Sequence, residues 1–213
     1  MKRLIAMLLA GLLCAGLAAC GTPDESVSAS GMCITPYALN EEEQALLKLV
    51  DTDRANTALV LYDYQADERL CAITVARYVL TDALTWERDP DYGGAVYSEE
   101  GIPPQGRLAL AEAPGGSFAF NLLDGGGGYS LYAPPLPEGL PDGYSSGTGG
   151  QSETVSIVYG EEIPLLVRTL RTDDTMPVMS TAVFTDAASR ERVQDSVFTE
   201  AFTVTFSDTV PET

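Results

Sequence analysis

From residue 57 to residue 206 the apolar positions recur mostly at every second residue. That is the period of a strand with one face buried and one face wet. The segments 57–64 (TALVLYDY) and 69–80 (RLCAITVARYVL), joined by QADE, read as a strand pair. On the second, Cys71, Ile73, Val75 and Val79 share one face, and Leu70, Ala72, Thr74, Ala76 and Tyr78 share the other. Further strands are expected at 106–112, 117–122, 129–132, 153–159, 163–171, 179–184 and 197–206, the last aligning Phe202, Val204 and Phe206. Pro164 has no N–H to give a ladder, so its strand is edge-like there or begins after it.

The period lengthens in two places. Asn40 is a good N-cap, Glu43 sits three residues on as its box partner, and Glu41 and Glu42 lie where a helix dipole favours negative charge. With Leu46, Leu47, Leu49 and Val50 as an apolar side, the helix is predicted over 41–54. A second, short helix is expected within 185–195, capped by Asp186. Some nine strands, one substantial N-terminal helix and no βα alternation predict a mainly β fold. The expected architecture is an antiparallel β-sandwich, immunoglobulin-like or fibronectin-like in general form. Two stretches interrupt it, a glycine-rich loop at 124–130 and a Pro/Gly/Ser-rich segment at 133–152 whose composition favours a flexible loop.

The N-terminus has another pattern. Met1-Lys2-Arg3 is followed by fourteen uncharged residues, Leu4 to Leu17. This is short for a bilayer, which takes about 20 apolar residues to span, and has the anatomy of a secretory signal. Cys14 follows two bulky leucines, whereas Cys20 follows Leu17-Ala18-Ala19 and precedes Gly21. These four residues resemble the lipobox of the bacterial lipoprotein precursor family, Leu-Ala/Ser-Gly/Ala-Cys, at every position. The resemblance covers about twenty residues. It implies cleavage between Ala19 and Cys20, a diacylglyceryl thioether on Cys20, and an acylated (palmitate-type) new amino terminus. The chain then divides into a signal peptide (1–19), a small, polar, acidic tether (20–32) and one sandwich domain (33–213). Two acyl chains hold a protein stably on a bilayer where one holds it marginally. The expected location is therefore the extracytoplasmic face of a cell membrane, with the lipid on Cys20 as the membrane contact.

Charge narrows the partners. Lys2 and Arg3 fall in the leader, which has no acid, leaving 10 basic and 31 acidic residues, a formal charge of −21. Phosphate backbones are recognised through Lys and Arg, so nucleic acid is excluded as a partner. Solubility at a cell surface accounts for such a charge, and binding of a cation or a basic partner is the sharper alternative. The two cysteines left after processing, Cys33 and Cys71, are candidates for a disulfide, whose loop closure would contribute roughly 4 kcal/mol.

The chain contains no histidine. That removes Ser-His-Asp and Cys-His nucleophile pairs, His-ligated metals and the commonest general base. A Lys-based mechanism would rest on Lys48, which reads as an exposed helix charge. The neighbouring acids Glu99-Glu100, Glu161-Glu162 and Asp173-Asp174 alternate sides in extended chain and read as turn or surface residues. Asp51/Asp53 and Asp89/Asp91 fit no EF-hand loop. No cofactor or metal is expected. The remaining candidates for ligand contact are aromatic: Trp86, Tyr92, Tyr97, Tyr129 and Tyr132 lie in or beside loop-like segments, where rings could stack on sugars or clasp a peptide. The expectation is a lipid-anchored, non-enzymatic binding or envelope-accessory module for an envelope polymer, glycan or protein. The alternative is a carboxylate-based hydrolase such as a glycosidase. A solute receptor for an importer would need two α/β lobes, which this pattern does not supply.

Overall fold

In a computed structural model, residues 31–50, 59–124, 127–173, 175 and 177–211 are described. The leader, Cys20 and the tether up to residue 30 lie outside them, as do residues 51–54 of the expected helix. From Met32 onward the chain forms one unit. Its strands are β1 (Cys33–Pro36), β2 (Leu59–Gln65), β3 (Ala72–Leu80), β4 (Trp86–Tyr97), β5 (Gln105–Ala113), β6 (Ser117–Asp124), β7 (Gly127–Tyr132), β8 (Ser145–Gly150), β9 (Val155–Ser156), β10 (Glu162–Arg171) and β11 (Phe198–Ser207). They build two antiparallel sheets, in the orders β7-β6-β5-β2-β1-β9 and β4-β3-β11-β10-β8. The fold is thus the mainly β, antiparallel sandwich that the period-two pattern predicts.

The alternation assigns the faces. Ile34, Tyr62, Tyr64, Leu108, Leu110, Phe118, Phe120 and Leu122 from the six-stranded sheet meet Ile73, Val75, Leu166, Phe202, Val204 and Phe206 from the five-stranded sheet in one buried core. Tyr62 ties the layers with its hydroxyl, donating to the carbonyl of Leu165 at 2.5 Å and accepting from the N–H of Gln151 at 2.9 Å. Burial raises that phenol to about 12. A smaller core lies on the outer side of the five-stranded sheet, where Val167 and Ala201 meet Val183 and Val193, with Tyr78, Trp86, Met179 and Phe184 around them.

That outer core explains one departure from expectation. Residues 179–184 read as a strand, yet Ala182–Thr185 is one turn of helix, α2, followed by α3 at Ala187–Arg190. A six-residue apolar run has no period long enough to choose, and here it covers a sheet rather than joining one. Asp186 caps α3 as expected, accepting from the N–H of Ser189 at 2.8 Å. The expected strand at 153–159 shrinks to the two residues of β9.

The Pro/Gly/Ser segment also departs from a loop, because its last part forms β8 against β10. Glycine makes this possible: a Cβ at Gly149 would lie 2.3 Å from the backbone of Met179. β8 begins its pairing with β10 at Leu166, so Pro164 sits where β10 has a neighbour on one side, with a register shift beside it. The helix α1 (Glu41–Val50) forms as the capping box predicts. The Asn40 N–H donates to Glu43 Oε2 and the Glu43 N–H to Asn40 Oδ1, each at 2.9 Å.

Candidate functional site

A shallow depression of about 570 Å³ lies on the outer face of the six-stranded sheet over β1, β2, β5 and β6. Because Ile34, Tyr62, Tyr64 and Leu108 point inward, their neighbours point out. The register aligns those neighbours in two rows across the strands. Cys33, Gln65 and Gln105 form one, and Thr35, Asp63, Arg107 and Leu123 the other. Gly106 lies between the rows on β5 and allows a close approach beneath them. A Cβ there would meet both the carbonyl of Leu123 and the ring of Tyr64 at 2.7 Å.

The charge in this cleft is internally matched. Arg107 Nε donates to Asp63 Oδ1 at 2.8 Å, and its guanidinium lies 3.5 Å from the centre of the Tyr37 ring and 3.9 Å from Glu43. The Tyr37 hydroxyl is 2.8 and 2.7 Å from the two oxygens of Glu43 and serves as their donor. The Asn40 N–H, then the Tyr37 hydroxyl, hold the Glu43 carboxyl below its ordinary range. The same Glu43 bond raises the Tyr37 phenol, and the bond to Asp63 raises Arg107. The network fixes the start of α1 to the sheet and leaves Gln65 and Gln105 exposed, with no side-chain partner among the described residues.

Two smaller depressions, about 250 and 270 Å³, flank Glu162, whose carboxylate accepts from the Tyr78 hydroxyl at 2.7 Å.

A second polar feature lies inside the sandwich. Between Ala76↔Gly93 and Tyr78↔Arg88 the β3–β4 register slips, so that Arg77 alone faces residues 89–92. This bulge turns Asp89 toward Arg77 and Tyr92 into the core. Arg77 binds Asp89 Oδ2 and Glu200 Oε2, each at 2.6 Å, and Arg168 pairs with the other oxygen of Glu200. Arg168 also lies over the Phe118 ring at 4.6 Å and reaches Glu112 of the opposite sheet at 3.7 Å. Glu200 and Arg168 are 1% and 2% exposed. Two guanidinium groups on one carboxylate leave no acid or base free for chemistry, and the cluster reads as a fixed interior tie.

The sequence-selected aromatics scatter. Tyr92 is in the core, edge-on to Phe202 at 5.8 Å, and burial pushes its phenol far above the ordinary value. Trp86 packs on Phe184 in the outer core. Tyr129 packs against the main core, while Tyr97 and Tyr132 are exposed at 50% and 67%. No common surface joins the five.

Cys33 and Cys71, the pair considered for a disulfide, are free cysteines in this structure. Cys33 is on the outward side of β1, while Cys71 leads into β3 of the other sheet, its N–H bonded to Ser207 at 2.8 Å. Stacked sheets lie about 10 Å apart, beyond the roughly 4.4–6.8 Å that a disulfide spans between Cα atoms.

The acids are engaged elsewhere. Asp89 serves Arg77, Glu162 serves Tyr78, and Asp173 binds Arg171 at 2.7 Å, which lowers it to about 2. Among the described residues no three metal-ligating side chains converge. No helix among them is long and apolar enough to cross a membrane.

Gln65 and Gln105 of one outward row, and Asp63 and Arg107 of the other, are not among the rings and acid pairs that the sequence singles out. Their signal was present: both "LYDYQ" and "QGRLAL" place polar residues on the outward parity at the ends that pair. Comparisons with models of protein families, with curated proteins and with solved structures give no match for this chain.

Proposed function

We propose that the chain is a lipid-anchored, extracytoplasmic, non-enzymatic binding module. Cys20 carries the acyl chains and the outer face of the six-stranded sheet meets an envelope partner. The complete lipobox Leu17-Ala18-Ala19-Cys20 carries the anchoring part of this reading. The cleft over β1, β2, β5 and β6 supports the binding part, because its volume falls in the range of small-ligand sites.

The hydrolase alternative has less support at this cleft. A glycosidase acid must hold a proton near neutral pH, which takes a raised carboxyl pKa. Glu43 is lowered and Asp63 is paired with Arg107. The chain also lacks histidine as a substitute.

The test compares the wild-type chain with Cys20→Ser in a bacterial host. The wild type is expected to incorporate labelled palmitate and enter the detergent phase on partitioning, and Cys20→Ser to do neither. A Cys20→Ser product that matures and partitions like wild type overturns the anchoring. Pull-downs of envelope polymers and surface proteins with the anchored wild type test the binding half, which an empty capture overturns.

A further inference from the structure

We infer that the cleft on the six-stranded sheet takes a neutral, hydroxyl-rich chain, a glycan laid across the strands from β1 toward β6. The inference rests on the binding-module reading and specifies its ligand class.

Charge selects the ligand class. Arg107 sits in the middle of the cleft with Asp63 at 2.8 Å and Glu43 at 3.9 Å, so its charge is already answered. An anionic ligand would have to displace two carboxylates and approach a chain of formal charge −21 after processing. A basic ligand would find no unengaged carboxylate there, since Asp63 accepts from Arg107 and Glu43 from the Tyr37 hydroxyl and the Asn40 N–H. A neutral polar ligand meets neither barrier.

What the cleft offers such a ligand is hydrogen bonding of both signs. Gln65 and Gln105 are direct neighbours in the β2–β5 register, both exposed, with no partner among the described residues. Each amide presents two donors and an acceptor, the complement of adjacent sugar hydroxyls, which both give and take. The parallel row, Thr35-Asp63-Arg107-Leu123, crosses four strands. At about 4.8 Å per strand it runs roughly 14 Å, long enough for a short run of sugar units rather than one. It ends on Leu123, 55% exposed, an apolar platform for the C–H face of a ring.

The experiment titrates the detergent-solubilised, full mature protein with cellohexaose, chitohexaose and a mannan oligosaccharide, and with heparin and oligolysine as the charged controls. Gln65→Ala, Gln105→Ala and their double variant are measured beside Arg192→Ala, a control on the opposite sheet's outer cover. Circular dichroism checks that each is folded; the two glutamines are exposed and hold nothing in place. The expected result is binding of at least one neutral oligosaccharide, weakened about tenfold or more in the double variant and unchanged in Arg192→Ala. A tenfold loss is what a hydrogen bond or two contribute at an exposed site. Absence of binding to all three neutral probes overturns the inference, as does binding that the double variant leaves intact. Binding of oligolysine at this cleft, lost in the double variant, overturns the glycan assignment while the binding-module reading stands.

Discussion

Arg168 and Glu200 are direct cross-strand partners on β10 and β11, their side chains turned into the space between the sheets and buried together. Taking two such charges out of water costs several kcal/mol each, which the pair offsets only when every remaining donor and acceptor is engaged. Arg77 and Asp89 supply much of that engagement and Glu112 adds charge at 3.7 Å, while Arg168 Nε is buried without a hydrogen-bond acceptor. Glu200→Ala leaves two guanidinium groups buried against each other, so it is expected to destabilise the fold by about 3–5 kcal/mol. The fourfold change Arg77→Met, Asp89→Asn, Arg168→Met, Glu200→Leu removes the buried charges together and is expected to recover most of that loss. Urea unfolding of the two variants checks this; equal stability of Glu200→Ala and wild type contradicts the tie.

The α1 network makes a pH prediction. Glu43 is held below its ordinary value by the Asn40 N–H and the Tyr37 hydroxyl. A carboxyl lowered on folding adds stability above its unfolded value and loses it as pH falls through the folded one. The protection factors of the α1 amides, the unfolded chain's exchange rates divided by the observed ones at the same pH, are therefore expected to be highest above pH 4.5 and to fall as the solution is acidified further. In Tyr37→Phe the Glu43 carboxyl, followed by NMR, is expected to titrate at higher pH than in wild type. An unchanged midpoint would show that the phenol does not hold the carboxylate.

A second carboxylate behaves alike in another loop. Asp67, between β2 and β3, binds Arg69 and accepts from the Tyr159 hydroxyl at 2.7 Å, and lies at about 2. The tie between this turn and the start of β10 should hold above pH 4 and release as pH falls toward 2. Tyr159→Phe is expected to raise the Asp67 midpoint. Titration by NMR checks it, and a midpoint that stays at about 2 counts against the contact.

Gly149 is fixed by close approach. Alanine there would bring a Cβ within 2.3 Å of the Met179 backbone, which has no flexible end to yield. Overpacking of this kind costs about 1–3 kcal/mol. Gly149→Ala should lower the melting temperature and admit protease within 133–152, whereas Gly139→Ala, with open space around it, should leave that segment protected. Because Gly139 has a φ of 83°, its own cost is backbone strain within the turn. Equal protease resistance of Gly149→Ala and wild type would contradict the strand.

Much of this fold was legible because period-two alternation runs through β3, β5, β6 and β11, while β10, buried on both faces, is marked by a continuous apolar run. The parts that were not legible share a cause. β4 carries Arg88, Asp89, Pro90 and Asp91 in its middle, and its pairing with β3 resumes on either side of a bulge over residues 89–92 that turns Asp89 toward Arg77. β8 has the sequence SSGTGG, with no side-chain pattern at all; it is a strand because neighbouring backbone fits against bare Cα atoms. The candidate cleft was hidden for a different reason. Gln65 and Gln105 lie 40 residues apart and become neighbours only through the β2–β5 register. The free Cys33 and Cys71 are hidden in the same way, since their assignment to different sheets follows from topology rather than spacing.

The reading of the cysteines is checked by thiol titration. The folded protein after processing should present two reactive thiols, and none would mean a bridge. Cys33→Ser and Cys71→Ser should each remove one and leave the melting temperature within a degree or two.

The most direct measurement is the mass of the mature N-terminal peptide, taken from the full chain expressed in a bacterium. The account predicts a peptide beginning at Cys20 that carries a diacylglyceryl group, with residues 1–19 gone. A peptide beginning at any other residue, or an unmodified Cys20, contradicts it.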